Sequence, residues 1–381
     1  MRIGIVCYPT FGGSGVVATE LGISLAEQGH QVHFITYNLP ARLDVLKENI
    51  FYHEVIVSDY PLFDYTPYEL VLTSKIVDVV KYEKLDLLHV HYAIPHASAA
   101  YMAQRILADE GYRIPYITTL HGTDITLVGK DSSFEPVITF AINKSSAVTA
   151  VSESLKKDTY EFFDISREIE VIPNFIDMRE YENIYDENLR KRYASNGEFL
   201  ISHISNFRKV KRIEDVVHVF DKIRKKVPAK LLLVGDGPER AVIEKMCREI
   251  DICTDAILLG KLRSTKEILA ISDLFLLPSE TESFGLAALE AMAAGCPVIS
   301  TNTGGLPEVN IHGVSGYTAG VGAVDTMATY ALSLLQDKQV HAKFKIQAKE
   351  IASRFDLPKI ICAYQQLYNQ VLKDSKIQVK A

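Results

Sequence analysis

PSETESFGLAALEAMAAGCPVISTNTGGLP, residues 278–307, sets two carboxylates, Glu282 and Glu290, around a small apolar run. The run after SFG reads as a helix that opens there, and Gly295-Cys296-Pro297 is its stop signal. VIST then reads as a strand, and Gly304-Gly305 as a flexible turn. The first turn of such a helix presents unpaired N–H groups and a partial positive charge, a seat for phosphate. With both Glu residues near-helical, eight positions at about 1.5 Å each place them about 12 Å apart along the axis. That is the span from the sugar to the ribose of a nucleotide-diphosphate sugar. One carboxylate would accept hydrogen bonds from the transferred sugar and the other from the ribose, with the diphosphate on the helix end between them.

Outward from this stretch, strand and helix alternate along the chain. FLISHIS, KLLLVGD, AILLG and LFLLP read as strands, with helices over about 213–226, 238–249 and 265–271 between them. Pro238 would occupy the first helical position of its helix. A polar, charged stretch over 176–198 reads as a linker and the opening helix of this half. Earlier, RIGIVCY, HQVHFITY, NIFYHEVIV, LDLLHVHY, PYITTLHG, SAVTAVS and EIEVIPN are strands, with helices over about 16–28 and 97–109 among them. Alternation of this kind means βαβ units and parallel sheets with helices on both faces. The expected fold is α/β: two Rossmann-like domains, 1–173 and 174–357, facing across a cleft. A C-terminal helix, about 358–381, would cross back to the first. Ligands of such sheets bind beyond the carboxyl ends of the strands, so the loops there are where function is expected.

Composition sets limits on the reading. At 381 residues the chain exceeds one hydrophobic core, in keeping with two domains. The net charge of −7 argues against nucleic acid as a partner. Residues 1–165 hold 12 Lys+Arg against 20 Asp+Glu, a poor docking face for anionic membranes. The five cysteines are odd in number, scattered and free of C-x-x-C, which reads as reduced thiols in a cytoplasmic protein. Met1-Arg2 runs directly into a strand, and no apolar run reaches membrane-spanning length. The expected partners are small molecules; association with further copies of the chain stays open.

Four loops after strands collect the remaining chemistry. Gly12-Gly13-Ser14-Gly15 with Ala18 has the form G-x-G-x-x-A, but Ile35 to Asn38 supply no acid for a dinucleotide ribose. A dehydrogenase is therefore disfavoured, and the Gly13, Ser14 and Gly15 amides read as an anion seat. HVHYAIPH places His89, His91 and His96 at one strand end, and TLHGTD places His121 and Asp124 at another. His89 reads as a buried, hydrogen-bonded histidine rather than a metal ligand, and His121 as substrate-facing. SNFRKVKR, 205–212, concentrates Arg208, Lys209, Lys211 and Arg212 before a helix, where cations oppose the dipole and so imply an anionic ligand. No D-x-D is present, so no metal is expected under a diphosphate. Arg208, Lys211 and helix-end amides would neutralise the leaving group.

Glu282-SFGLAAL-Glu290, LVGDGPE, VIPNFID, LPSETESFG and TGGLPE resemble, in order and over nearly the whole chain, the retaining glycosyltransferases of the GT-B architecture, family 4 type. The resemblance implies that the second domain binds a nucleotide sugar and the first an acceptor, with no metal or other cofactor. By this likeness Glu290 holds the ribose and Glu282 the donor sugar. Phe284, Gly285 and Leu286 meet sugar and phosphates, Leu262 lies by the uracil, and Gly13, Asn206 and Ser283 complete the donor set. The family usually has Gly-Arg where this chain has Ser205-Asn206. Arg208 would substitute for that arginine, whereas Lys211 matches the family lysine directly.

CYPTFGGSGVVATELG, HVHYAIPHA and TTLHGTDIT are similar to the branch of the family that moves N-acetylglucosamine from UDP-N-acetylglucosamine to the hydroxyl of L-malate, opening bacillithiol synthesis. Ser14, Tyr92, Thr119 and His121 would then meet the acceptor, and His121, Arg208, Lys211 and Glu282 would carry catalysis. The implied chemistry is front-face transfer with retention, Asp124 and Glu282 being the alternatives for a covalent nucleophile. Rival readings are a lipid or polyol acceptor, a UDP-sugar 2-epimerase, and a nucleotide-sugar-binding regulator.

Overall fold

Strand order is what places the functional loops. The computed structural model describes residues 1–10, 12–57, 67–127 and 131–377. The chain divides into two compact units, Met1–Asn174 with the segment from Pro358 onward, and Phe175–Leu357. The first holds a sheet of β1 (Arg2–Val6), β2 (Gln31–Thr36), β3 (Ile50–Glu54), β4 (Leu87–His91), β5 (Tyr116–Leu120), β6 (Ala147–Ala150) and β7 (Ile169–Val171), ordered 3-2-1-4-5-6-7. The second holds β8 (Phe199–Ile204), β9 (Ala229–Val234), β10 (Ala256–Gly260), β11 (Leu274–Leu277), β12 (Val298–Thr301) and β13 (Gly316–Ala319), ordered 10-9-8-11-12-13. Every pairing is parallel; in β1, Ile3 sits opposite Val32 on one side and Leu87 on the other. The chain order reverses between β1 and β4, and again between β8 and β11. Loops leaving the strands at those two points diverge and leave a crevice at each sheet's ligand end.

The α/β reading of two parallel sheets therefore holds. β4 and β5 are buried at every position, as strands covered on both faces must be. In the first unit, Leu72, Ile76 and Val79 of helix Tyr68–Glu83 pack with Ala99, Ala100 and Ala103 of helix Ser98–Asp109, whose small residues let the backbones approach. In the second, Val216, Phe220 and Ile223 of helix Ile213–Arg224 cover Ile201, Leu231 and Leu233. The last helix, Leu357–Ile377, buries Tyr364 and Tyr368 in the first unit, and the Tyr368 hydroxyl lies 2.7 Å from His89 Nδ1. Residues 378–381, expected to continue it, lie outside the described residues. Among the described residues no helix is long and apolar enough to cross a membrane.

Three local expectations need correction. The helix of the opening stretch runs Leu286–Ala293, so Glu282 lies in the preceding loop and only Glu290 is helical. The axial estimate of about 12 Å therefore loses its premise. Pro238 precedes its helix, Arg240–Glu249, by two residues. β13 was not foreseen because GYTA is short and opens on Gly316, whose added Cβ would sit 1.9 Å from the Val298 carbonyl oxygen.

Candidate active site

In the second unit the loops after β8, β9, β11 and β12 are tied into one surface. The Phe207 N–H donates to the Asp236 carbonyl at 3.0 Å, and the Glu239 N–H to the Phe207 carbonyl at 2.9 Å. That contact is backbone against backbone: a Cβ on Gly235 would meet the Ser205 carbonyl oxygen at 1.8 Å, and Gly235 has φ +130. The same device joins the other two loops. Gly304, at φ +56, leaves no room for a Cβ, which would fall 2.0 Å from the Glu282 carbonyl oxygen, and the Gly305 N–H donates to that oxygen at 2.9 Å.

Lys211 and Glu282 meet on this surface. The Lys211 Nζ donates to Glu282 Oε1 at 2.6 Å, with side-chain exposures of 20% and 14%. The Ser279 hydroxyl donates to the same oxygen at 2.8 Å, and the Glu280 N–H donates to the Val210 carbonyl at 2.8 Å. The lysine and the carboxylate are thus held in fixed positions, each half-sheltered yet reachable. Arg212 instead pairs with Asp215 at 2.6 Å in the first turn of its helix, so part of the basic charge there offsets acidic neighbours. Arg208 and Asn206 are exposed, and among the described residues Arg208 makes no ion pair. Beneath the loop, His203 Nδ1 donates to the Leu276 carbonyl at 2.8 Å, which leaves Nε2 to accept from the Ser205 hydroxyl at 2.7 Å. Burial pushes this histidine down to about 4, so it stays neutral.

Gly285, at φ +96, caps helix Leu286–Ala293, and no acidic side chain occupies that helix's first turn. That end therefore carries no competing carboxylate in its own first turn. Leu286 and Glu290 are partly exposed, as is Ser283; Leu262, after β10, is 38% exposed. Phe284 differs from expectation. Its ring is buried edge-on against Phe355, centroids 5.5 Å apart.

In the first unit, helix Ser14–Glu27 starts at Gly13, φ 59, with no acid in its first turn. A Cβ on Gly15 would lie 2.4 Å from Thr10 Oγ1 and 2.6 Å from the Tyr8 carbonyl oxygen, so the loop after β1 folds directly onto the helix start. Ser14 Oγ is 2.6 Å from the Tyr92 hydroxyl. Tyr92 itself, just past β4, has φ 88, a left-handed backbone that a bulky residue rarely adopts. His91 Nδ1 lies 2.8 Å from His121 Nε2, and the rings of His89, His91 and His121 stack in sequence. Burial pushes His89 and His121 down to about 3 and holds His91 between them well below its usual value, making a column of neutral imidazoles, while His96 beside it is pushed to about 4. His121 can therefore hydrogen-bond a substrate but does not supply positive charge near neutral pH.

Thr119 falls out of its expected acceptor role. It is fully buried, and its hydroxyl is enclosed between His89 Nε2 and Thr149 Oγ1, each 2.7 Å away. His89 is the buried, hydrogen-bonded residue that the sequence suggested.

Comparison with known proteins gives this geometry a family. Residues 185–351 match the model for glycosyl transferases group 1, and residues 11–180 that for glycosyltransferase family 4. Over 378 residues, 99% of this chain and 98% of the relative, it is 49% identical to the N-acetyl-alpha-D-glucosaminyl L-malate synthase of Bacillus anthracis. The chain belongs to the group 1/family 4 glycosyltransferases. It is also 28% identical to an uncharacterized glycosyltransferase of Methanocaldococcus jannaschii, over 83% of this chain and 84% of that one. Among solved structures, the Anabaena protein Alr3699/HepE in complex with UDP and glucose aligns with TM-score 0.80 at 20% identity, covering 97% of this chain and 99% of that one. A glycosyltransferase from Rickettsia africae aligns with TM-score 0.81 at 20% identity, covering 98% of each. The fold of this glycosyltransferase is thus GT-B.

The glycosyltransferase gathers Asn206, Arg208, Lys211, Glu282, Ser283 and Gly285 on the loops after β8 and β11 of one unit, with Leu286 opening the helix that follows. It gathers Gly13, Tyr92 and His121 on the loops after β1, β4 and β5 of the other, with Ser14 opening the helix after Gly13. Sequence reasoning missed Ser279, the hydrogen-bonding partner of Glu282, although a serine three residues before a loop carboxylate is a usable cue. It also missed the positive φ of Tyr92, for which a tyrosine gives no sequence signal.

Proposed function

We propose that this glycosyltransferase moves N-acetylglucosamine from UDP-N-acetylglucosamine to the hydroxyl of L-malate, with retention and without a metal ion, as the opening step of bacillithiol synthesis in the cytoplasm. The observation that carries the reading is the 49% identity along 99% of the chain to an enzyme named for that product. The second unit takes the donor: Glu290 the ribose, Leu262 the uracil side, Glu282 the sugar hydroxyls, and Gly285 with the Leu286 N–H end the diphosphate. Arg208 and Lys211 stabilise charge as it develops on the departing phosphate, the kind of prearranged electrostatics that lowers a barrier most. The first unit takes the acceptor through the Ser14–Tyr92 pair and the helix start at Gly13, and neutral His121 orients the attacking hydroxyl. The departing phosphate oxygen accepts the acceptor's proton while attack occurs on the same face of the sugar.

The test is UDP release from UDP-N-acetylglucosamine with and without L-malate. Strong stimulation by malate is expected. Equal release in both conditions, or conversion of the donor into its 2-epimer, overturns the reading. Activity in EDTA should equal that of the untreated enzyme; a loss restored by a divalent ion would remove the metal-free part of it.

A further inference from the structure

The loops after β4 and β5 share one buried anion that neither the anion seat nor the histidine column uses. Asp124 is 2% exposed and lies in the short turn Thr123–Leu127 after β5. Its Oδ2 accepts the Ala93 N–H at 2.8 Å, and its Oδ1 accepts the Gly122 N–H at 3.1 Å. Ala93 immediately follows Tyr92, whose N–H donates to the Thr119 carbonyl at 2.9 Å and whose carbonyl accepts from the Ala97 N–H at 3.2 Å. The backbone of Tyr92 is therefore fixed on both sides. Its ring lies between those of Tyr8 and His121, with centroids 5.4 and 5.3 Å away.

A left-handed tyrosine persists only where its surroundings over-determine it, and such strain is characteristically stored where a side chain must be aimed. We propose that Asp124 is a positioning residue for the acceptor: its carboxylate clamps the Tyr92–Ala93 backbone to the His121–Gly122 loop, so that the Tyr92 hydroxyl stands at the start of the Ser14 helix. This rests on the reading that the first unit takes a small anionic acceptor. Each carboxylate oxygen accepts a backbone N–H and the residue is 2% exposed, which argues against Asp124 as a covalent nucleophile. The burial has a cost. It pushes the carboxyl up to about 6 against the pull of its hydrogen bonds, so the site retains a charge that the fold alone would rather lose.

Asp124→Asn keeps the volume but turns an amide N–H₂ toward one of the two backbone donors. The expected result is an acceptor KM raised about tenfold or more, because a hydrogen bond to a charged group is lost. The donor KM and donor-only hydrolysis should stay within about twofold, and the melting temperature should fall only modestly, because losing the buried charge offsets part of the lost hydrogen bond. Tyr92→Phe should raise the acceptor KM similarly, and the double variant should add little to either single one. An unchanged acceptor KM, or a general loss of activity that follows a fall in melting temperature, overturns the clamp. If Asp124→Asn does not fold, Asp124→Ser serves in its place. If the unsubstituted enzyme does not respond to malate, the acceptor reading fails. The clamp is then judged on a crystal structure of the variant, where Tyr92 should leave positive φ; retention of that conformation refutes it.

Discussion

Lys211 and Glu282 illustrate how a pair of residues gains meaning from what they touch. A lysine within 2.6 Å of a carboxylate that also accepts from Ser279 is held in one geometry before any ligand arrives. Such prearrangement is what makes a charge effective against a developing negative charge on a leaving phosphate. Lys211→Ala should therefore lower kcat by about 10²–10³-fold while the malate KM moves little. Unchanged turnover would remove the leaving-group role. Lys211→Arg is not a neutral control, because a planar fork cannot replace a compact ammonium in a gap of that size.

At the scale of elements, the donor surface depends on glycines that let loops touch backbone to backbone. Gly304→Ala should raise the donor KM and lower the melting temperature, since its Cβ would lie 2.0 Å from the Glu282 carbonyl oxygen. Gly197→Ala is the matched control. It also has positive φ but nothing within 4 Å of the added carbon, so it should cost only backbone strain, about 1 kcal/mol, with donor KM unchanged. Equal effects from the two would show that left-handed strain, and not the loop contact, governs the site. The sequence made the strands and their parallel pairing legible, because apolar runs such as LDLLHVHY and KLLLVGD end in turn chemistry at regular intervals. Lys211 and Glu282 were visible for the same reason, as polar residues in the loops beyond such runs, and Glu290 by its eight-residue spacing from Glu282. Thr119 was misassigned because a strand buried on both faces carries no alternation to tell inward from outward. The helix opens after SFG as read, with Gly285 capping through its backbone; what failed was the near-helical placing of Glu282, which lies in the loop before that cap.

At the scale of the whole molecule, the two units repeat one topology but differ in what they bury. The second unit encloses one strongly shifted neutral histidine, His203. The first encloses His33, His89, His91, His96 and His121, all lowered chiefly by burial, to about 4, about 3, well below normal, about 4 and about 3 respectively. Proton linkage follows directly. A histidine whose folded pKa is depressed stays neutral in the fold while the unfolded chain takes up a proton below about pH 6.5. Its contribution to stability is complete above that value and is lost as pH falls toward the folded pKa, at about 1.4 kcal/mol per pH unit for each group. Asp124, raised to about 6, acts in the opposite sense between about 6 and 4, but it is one group against five. Hydrogen exchange at pH 7.5 and pH 5 should therefore find peptides of β4 and β5 losing protection on acidification well before those of β8 and β11; the reverse order would contradict the assignment. The buried imidazoles thus amount to an acid fuse, set in one half of the enzyme and nearly absent from the other, so mild acidification should loosen the first unit before the second.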